Sequence, residues 1–260
     1  MPERDLDLLI RAAEQAGEIA RDFFAKGFEV SDKGGGQGPV TEADLAIDVM
    51  LRETLLAARP DYGWLSEETE DDPARLTREN VFIVDPIDGT RSFVDGRKTF
   101  AHSLAISRNG IITEGVVLMP MRDFTYAARL GEGAYLNGKP ITASQRPTLD
   151  QANVIAARPQ LDAALWPGGV PSIQRHYRPS LAYRMCLVAE GRFDGMVTLR
   201  DAWEWDIAAG ALICKEAGTA ISDRLGQPLS FNNAHPTQAG VLAGSNGVHR
   251  DMLERLQARP

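Results

Sequence analysis

The sequence predicts a mixed α/β (α+β) protein of layered helices and strands, in two halves that meet near residue 150. Three observations predict it. The 260 residues amount to one large domain or two small ones, and the 43% that are apolar suffice for a sizeable core. Apolar spacing switches repeatedly between the helical period and short strand-length runs. From about residue 150 the pattern changes, giving an N-terminal half over 1–150 and a C-terminal half over 151–260. No internal repeat or low-complexity segment interrupts it.

The first element is a helix, because Leu6, Leu9, Ile10, Ala13, Ala16, Ala20, Phe23 and Phe24 recur at helical spacing with charges between them. Residues 31–39 are too rich in glycine for helix or strand. Thr41, with Asp44 three positions on, reads as the N-cap of a helix reaching about Ala58. Val81-Phe82-Ile83-Val84 reads as a short buried strand that stops at Asp85-Pro86. Strands are expected over 101–107, 111–118 and 124–128, with Asn109-Gly110 and Asn137-Gly138 as hairpin turns. A strand near Val154-Ile155 precedes a Pro/Gly-rich connection, Trp166 to Pro171. Then follow a helix over about 180–190, a strand at 193–198, and a helix at 204–217 with Gly218 as its C-cap. A strand from Gly240 to Ala243 and a helix from Val248 to Gln257 complete the chain.

Acidic residues outnumber basic ones by 36 to 28, for a net charge of −8. That balance argues against a partner such as duplex nucleic acid or an anionic membrane surface. A chain of this charge that binds an anionic substrate needs a local device such as a metal ion. Cys186 and Cys214 sit in apolar helical stretches and read as reduced, buried thiols, pointing to the cytoplasm. Neither an export signal nor a membrane span is visible.

The chemistry concentrates in Asp85-Pro86-Ile87-Asp88-Gly89-Thr90. Two carboxylates this close at a strand end repel unless a positive charge sits between them. Hard oxygen ligands suit Mg²⁺, to which the Ile87 carbonyl can add another oxygen, while the N–H groups of Gly89 and Thr90 can hold an anion. The spacing alone equally fits an Asx-rich turn after a strand. Glu67-Glu68 and Asp206 are two further acidic spots; an acid opening the helix at 204 also serves as a cap.

Taken together, these motifs resemble the inositol monophosphatase superfamily of Mg²⁺-dependent, lithium-sensitive phosphatases. The resemblance rests on Glu67-Glu68, on residues 85–90, and on Trp205-Asp206-Ile207-Ala208-Ala209-Gly210. Pro39 to Asp44, Gly131 to Gly138 and Cys186 to Gly191 add to it in the family's order, over nearly the whole chain. It implies an α/β/α/β/α sandwich, often dimeric, that hydrolyses a small phosphorylated metabolite with two or three Mg²⁺ ions. Glu67, Asp85 and the Ile87 carbonyl would hold one ion, and Asp85, Asp88 and Asp206 the second, Glu67 also touching a third. Thr90 and Asp44 would orient and deprotonate the attacking water, with the backbone of Gly89 and Thr90 on the phosphate. Lys33, eleven positions before Asp44, matches a mobile-loop lysine or is simply solvated. The four histidines have no zinc-like spacing, and His102 reads as a strand-end polar residue.

Arg91 resembles a basic position shared by the 3′(2′),5′-bisphosphate nucleotidase and histidinol-phosphate branches, Arg184 resembles a basic position of the nucleotidases, and a guanidinium can bind a second phosphate bidentately. Residues 85–94 also read like the histidinol-phosphate branch. Leu199 stands where inositol phosphatases carry an acid for substrate hydroxyls, with Asp201 and Glu204 close by; Glu204 is the candidate contact. The expected order is nucleotide bisphosphate, then inositol monophosphate, then histidinol phosphate. A regulator of transcription or ribosomes on the same fold is the non-enzymatic alternative.

Overall fold

Helix α1 (Asp5–Lys26) opens the computed structural model, which describes residues 3–32 and 38–258. Leu8, Leu9, Ala12, Ala13, Ala16 and Ala20 form its buried stripe. Strands β1 (Val30–Asp32) and β2 (Pro39–Thr41) pair antiparallel, and α2 (Glu42–Ala58) follows. The expected capping box forms at its start. The Asp44 N–H donates to Thr41 Oγ1 at 3.4 Å and the Thr41 N–H donates to Asp44 Oδ2 at 2.8 Å.

A seven-stranded sheet comes next, in sequence order: β3 (Gly63–Ser66), β4 (Asn80–Asp88), β5 (Ala101–Arg108), β6 (Ile111–Met119), β7 (Phe124–Arg129), β8 (Ala134–Leu136) and β9 (Lys139–Pro140). The short α3 (Thr90–Val94) sits between β4 and β5. Only the β3–β4 pair is parallel. Both expected hairpin turns form, with Asn109 (φ 49°) and Gly110 (φ 83°), and Asn137 (φ 50°) and Gly138 (φ 73°), all left-handed.

The remaining elements are β10 (Asn153–Ala156), β11 (Gln174–His176), α4 (Leu181–Ala189), β12 (Gly195–Thr198), β13 (Ala202–Trp203) and α5 (Glu204–Glu216), then β14 (Ala220–Ser222), β15 (Thr237–Gln238), β16 (Val241–Gly244) and α6 (Asn246–Gln257). Their main sheet runs β11-β10-β12-β16-β14. Gly218 lies one residue beyond the C-cap, Ala217, and takes the left-handed turn at φ 85°.

Strand alternation builds the layers. On β4, Phe82 and Val84 face a core shared with α1 and α2, whereas Val81 and Ile83 face one shared with α4 and α5. On β12, Met196 joins that central core while Val197 packs toward α6. The central core touches both faces of the α4/α5 layer, reaching Ile83 of the large sheet and Ile155 and Met196 of the smaller one, so three cores fill the four interfaces of five layers in the order α/β/α/β/α. The central layer lies tight on the large sheet: a Cβ at Gly115 of β6 would sit 3.0 Å from the Ala209 backbone of α5. Cys186 and Cys214 are buried there as free thiols.

One strand departs from expectation. β4 does not stop at Asp85-Pro86 but continues to Asp88, through an extra residue. Asp85 pairs with Ser103 and Asp88 with Ala101, so three steps on β4 match two on β5. Such a bulge tolerates the missing N–H of Pro86. It also re-aims the chain, because residues three apart on a regular strand point to opposite faces.

Candidate active site

Parallel pairing of β3 with β4 puts the ends of both strands side by side. Glu67 follows β3, its N–H bonded to the Val84 carbonyl at 3.3 Å, and Asp85 is the next residue on β4. Asp206 reaches the same point from the first turn of α5. Ser103, opposite Asp85, ties that turn to the sheet by donating to the Trp205 carbonyl at 2.8 Å. Glu67, Asp85 and Asp206 thus bring ligand oxygens within 4.8 Å of one another.

Both oxygens of Asp85 are buried with no hydrogen-bond partner. Burial, then the charges of Glu67, Asp88, Asp206 and Asp44, holds its carboxyl well above the usual range. Asp206 is pushed well up by burial and by Asp88 and Glu67, with Arg200 opposing. Such a set of hard oxygens, one fully unsatisfied, fits a divalent cation, which would supply the missing partner and neutralise the repulsion.

Asp88 is arranged differently. Its Oδ2 accepts from Ser180 Oγ at 2.8 Å and from the Ala182 N–H at 2.6 Å, so it also caps α4. Burial still raises its pKa, against those hydrogen bonds and the nearby Arg184. Gly89 turns the chain into α3 at φ 101°. The Thr90 hydroxyl lies 3.3 Å from Asp44 Oδ1 and 3.1 Å from the Ile87 carbonyl. The acid that closes the capping box on α2 is therefore also the partner of Thr90.

A cavity of about 690 Å³ opens over these groups, lined by Glu67, Asp88, Gly89, Thr90 and Asp206. Arg91, Arg184 and Arg200 also line it. Arg184 is largely buried; its Nε donates to the Arg178 carbonyl at 2.5 Å and its guanidinium lies 4.9 Å over the Tyr177 ring. Burial, with Arg200 adding to it, lowers its pKa. Trp203 and Trp205 stack at 4.8 Å and 6° and line the same cavity. Sequence reasoning missed Arg200 and this aromatic pair, which forms where β13 ends at Trp203 and α5 begins at Glu204.

Glu204 corrects the expectation of a substrate contact. It is fully buried, and it accepts from the Asn232 N–H at 2.6 Å, the Asn233 N–H at 3.0 Å and Asn233 Nδ2 at 2.6 Å. At the first position of α5 its side chain turns away from the cavity to hold the 232–233 loop. Glu204→Ala strands those donors, so a loss of about 3–5 kcal/mol in stability is expected with KM nearly unchanged. Thermal melts and steady-state kinetics check this; a raised KM at an unchanged melting temperature would restore the substrate role. Asp201 pairs instead with Arg224 at 2.6 Å. His102 is fully buried, its Nδ1 2.5 Å from the Pro86 carbonyl behind the bulge. Lys33 lies outside the described residues.

The sequence profile of the inositol monophosphatase family matches residues 1–259. The chain belongs to the inositol monophosphatase family. It is 34% identical to an inositol-1-monophosphatase of Rhizobium meliloti over 97% of this chain and 96% of that protein. A histidinol-phosphatase of Chlorobaculum parvum is 30% identical over 96% and 95% of the two chains. Among solved structures, the extragenic suppressor protein suhB of Bartonella henselae superposes with a TM-score of 0.82, at 28% identity over 98% of each chain. This family member is thus a phosphatase, a hydrolase of phosphoric monoesters that acts on small phosphorylated substrates, in a metal-dependent family. No helix among the described residues is long and apolar enough to cross a membrane.

Proposed function

We propose that this phosphatase is Mg²⁺-dependent and prefers a phosphate ester with a second anionic group and an aromatic base, a nucleoside 3′,5′-bisphosphate. The observation that carries the hydrolytic reading is the buried, unpartnered Asp85 carboxylate against Glu67 and Asp206. Glu67, Asp85 and the Ile87 carbonyl would hold one ion, and Asp85, Asp88 and Asp206 another. When bound, divalent cations polarise the phosphoryl oxygens, acidify water and offset charge on the leaving oxygen. Thr90 and Asp44 align the attacking water and take its proton, and the backbone at Gly89 and Thr90 holds the phosphate.

The substrate reading rests on the arginines that line the same cavity. Arg184 and Arg200 are close enough to repel each other, and an anion between two guanidiniums relieves that repulsion. The exposed Trp203, stacked on Trp205, offers a flat aromatic surface beside them, suited to a base. Inositol phosphate is the second reading, favoured by the Rhizobium meliloti relative. Against it, Asp201 and Glu204 are both committed elsewhere, so neither is free to hold ring hydroxyls. Histidinol phosphate carries an amine that the arginines repel. The enzyme is taken as a cytoplasmic homodimer inhibited by lithium, with the cavity formed where the halves 1–150 and 151–260 meet.

Phosphate release with Mg²⁺, with and without lithium, tests this on adenosine 3′,5′-bisphosphate, inositol 1-phosphate and histidinol phosphate. The expected kcat/KM is at least about tenfold higher for the bisphosphate, the worth of one modest charged contact. Preference for inositol 1-phosphate would overturn the substrate reading. Release from none of them, in protein that binds Mg²⁺, would overturn hydrolysis of these esters and favour a regulatory protein.

A further inference from the structure

We propose that Asp48 is a positioning residue for the divalent-cation site and acts through Glu67; the inference rests on the cation-dependent reading above. Asp44 and Asp48 lie one turn apart on the same face of α2. Asp44 meets Thr90, and Asp48 reaches the end of β3. Its Oδ1 accepts from Ser66 Oγ at 2.5 Å and its Oδ2 accepts from Thr69 Oγ1 at 2.5 Å, the short lengths of charge-assisted bonds. Thr69 Oγ1 also accepts from Trp64 Nε1 at 3.2 Å, and Ser66 Oγ from the Glu68 N–H at 3.4 Å.

The two hydroxyls in this grip bracket Glu67, one residue before it and two after. Of the three clustered carboxylates, Asp85 is fixed within a strand and Asp206 within a helix. Glu67 alone sits on irregular chain, half-buried. Repulsion from Asp85 and Asp206 therefore acts on the member with the least regular support. Asp48 holds that segment in place before any cation arrives, as partners behind metal ligands commonly do. An aspartate in mid-helix disfavours the helix and lies too far from its N-terminus to cap it, so the benefit of Asp48 is tertiary.

The test measures Mn²⁺ and Mg²⁺ binding by calorimetry, melting temperature, and phosphate release as a function of cation. Asp48→Ala should raise the cation Kd about 10- to 100-fold, the usual cost of losing such a partner. At saturating cation its KM for substrate should stay near that of the wild type. Asp48→Asn, which keeps one acceptor, should recover part of the affinity. In a Glu67→Gln background, Asp48→Ala should cost little more, because its effect runs through Glu67. Ser66→Ala combined with Thr69→Val removes the grip with Asp48 in place, and should match Asp48→Ala even if that variant folds poorly. A lower melting temperature with unchanged cation affinity would overturn the proposal, as would additive losses with Glu67→Gln. Wild-type protein that binds no divalent cation would overturn the underlying reading of the site.

Discussion

Asp85→Asn is expected to lower turnover about a thousandfold or more while raising the melting temperature of the cation-free protein. The two effects have one cause. Asp85 is a member of the acidic cluster that is buried, with no donor facing its two oxygens. A bound cation would be attracted by its charge; without one, it is repelled by Glu67, Asp88 and Asp206. Asparagine keeps the volume and removes the charge. Removing a buried charge that three neighbouring carboxylates repel, worth about 1–3 kcal/mol, should raise the melting temperature by at least about 2 °C in a chain of this size. Calorimetric melts in chelator, beside phosphate release in Mg²⁺, check both; a variant that stays active, or melts lower without cation, would sink the assignment.

The same repulsion sets a pH dependence whose sign is fixed. Asp85 and Asp206 have folded pKa values well above the unfolded one. Their contribution to stability is fully present below the unfolded value of about 4 and is lost as pH rises through the folded values. Cation-free wild type should therefore lose stability toward neutral pH, and Mg²⁺ should restore more of it the higher the pH. His102, lowered by burial to about 4, works in the opposite direction between there and about 6.5. It cancels when wild type is compared with Asp85→Asn at each pH, so the difference between their melting temperatures should widen as pH rises. A constant difference would contradict the cluster's charge.

Much of this site was legible because its residues obey local rules. Thr41 and Asp44 announce a helix start by spacing alone, and that helix forms with the box intact. Val81 to Val84 read as buried strand and are one, but the end expected at Asp85-Pro86 falls three residues further on, at Asp88. That the strand survives the proline was not legible, because a bulge depends on the register of β5, which no local window contains. Glu204 failed for a related reason. Its neighbour Asp206 faces the cavity, but the 232–233 loop that claims Glu204 is nearly thirty residues away. The short strands β3 and β11 lack the length for a periodic signal and exist by pairing with β4 and β10. Arg200 follows a buried strand end, where sequence alone reads a solvated base.

Arg184→Ala should lower kcat/KM about a hundredfold for a nucleoside 3′,5′-bisphosphate and at most about threefold for a simple monophosphate. A charge-assisted bidentate contact is worth about 3 kcal/mol, and about 1.4 kcal/mol corresponds to each factor of ten. The loss should fall on the bisphosphate because Arg184 lines the cavity with Arg200, and an anion held between the two guanidiniums would be the second phosphate. Arg184→Lys should fail to rescue. A lysine supplies the charge, but not the planar group that sits over Tyr177 and donates Nε to the Arg178 carbonyl. Arg200→Ala should cost about tenfold, since that side chain is exposed and its charge is better screened. The double variant should lose less than the product of the two, because both guanidiniums act on one anion and each removal also relieves the repulsion felt by the other. Equal losses on both substrates would mean that Arg184 serves the shared phosphate through Asp88, whose carboxyl it helps keep ionised, and the case for a second anionic group would fall with it.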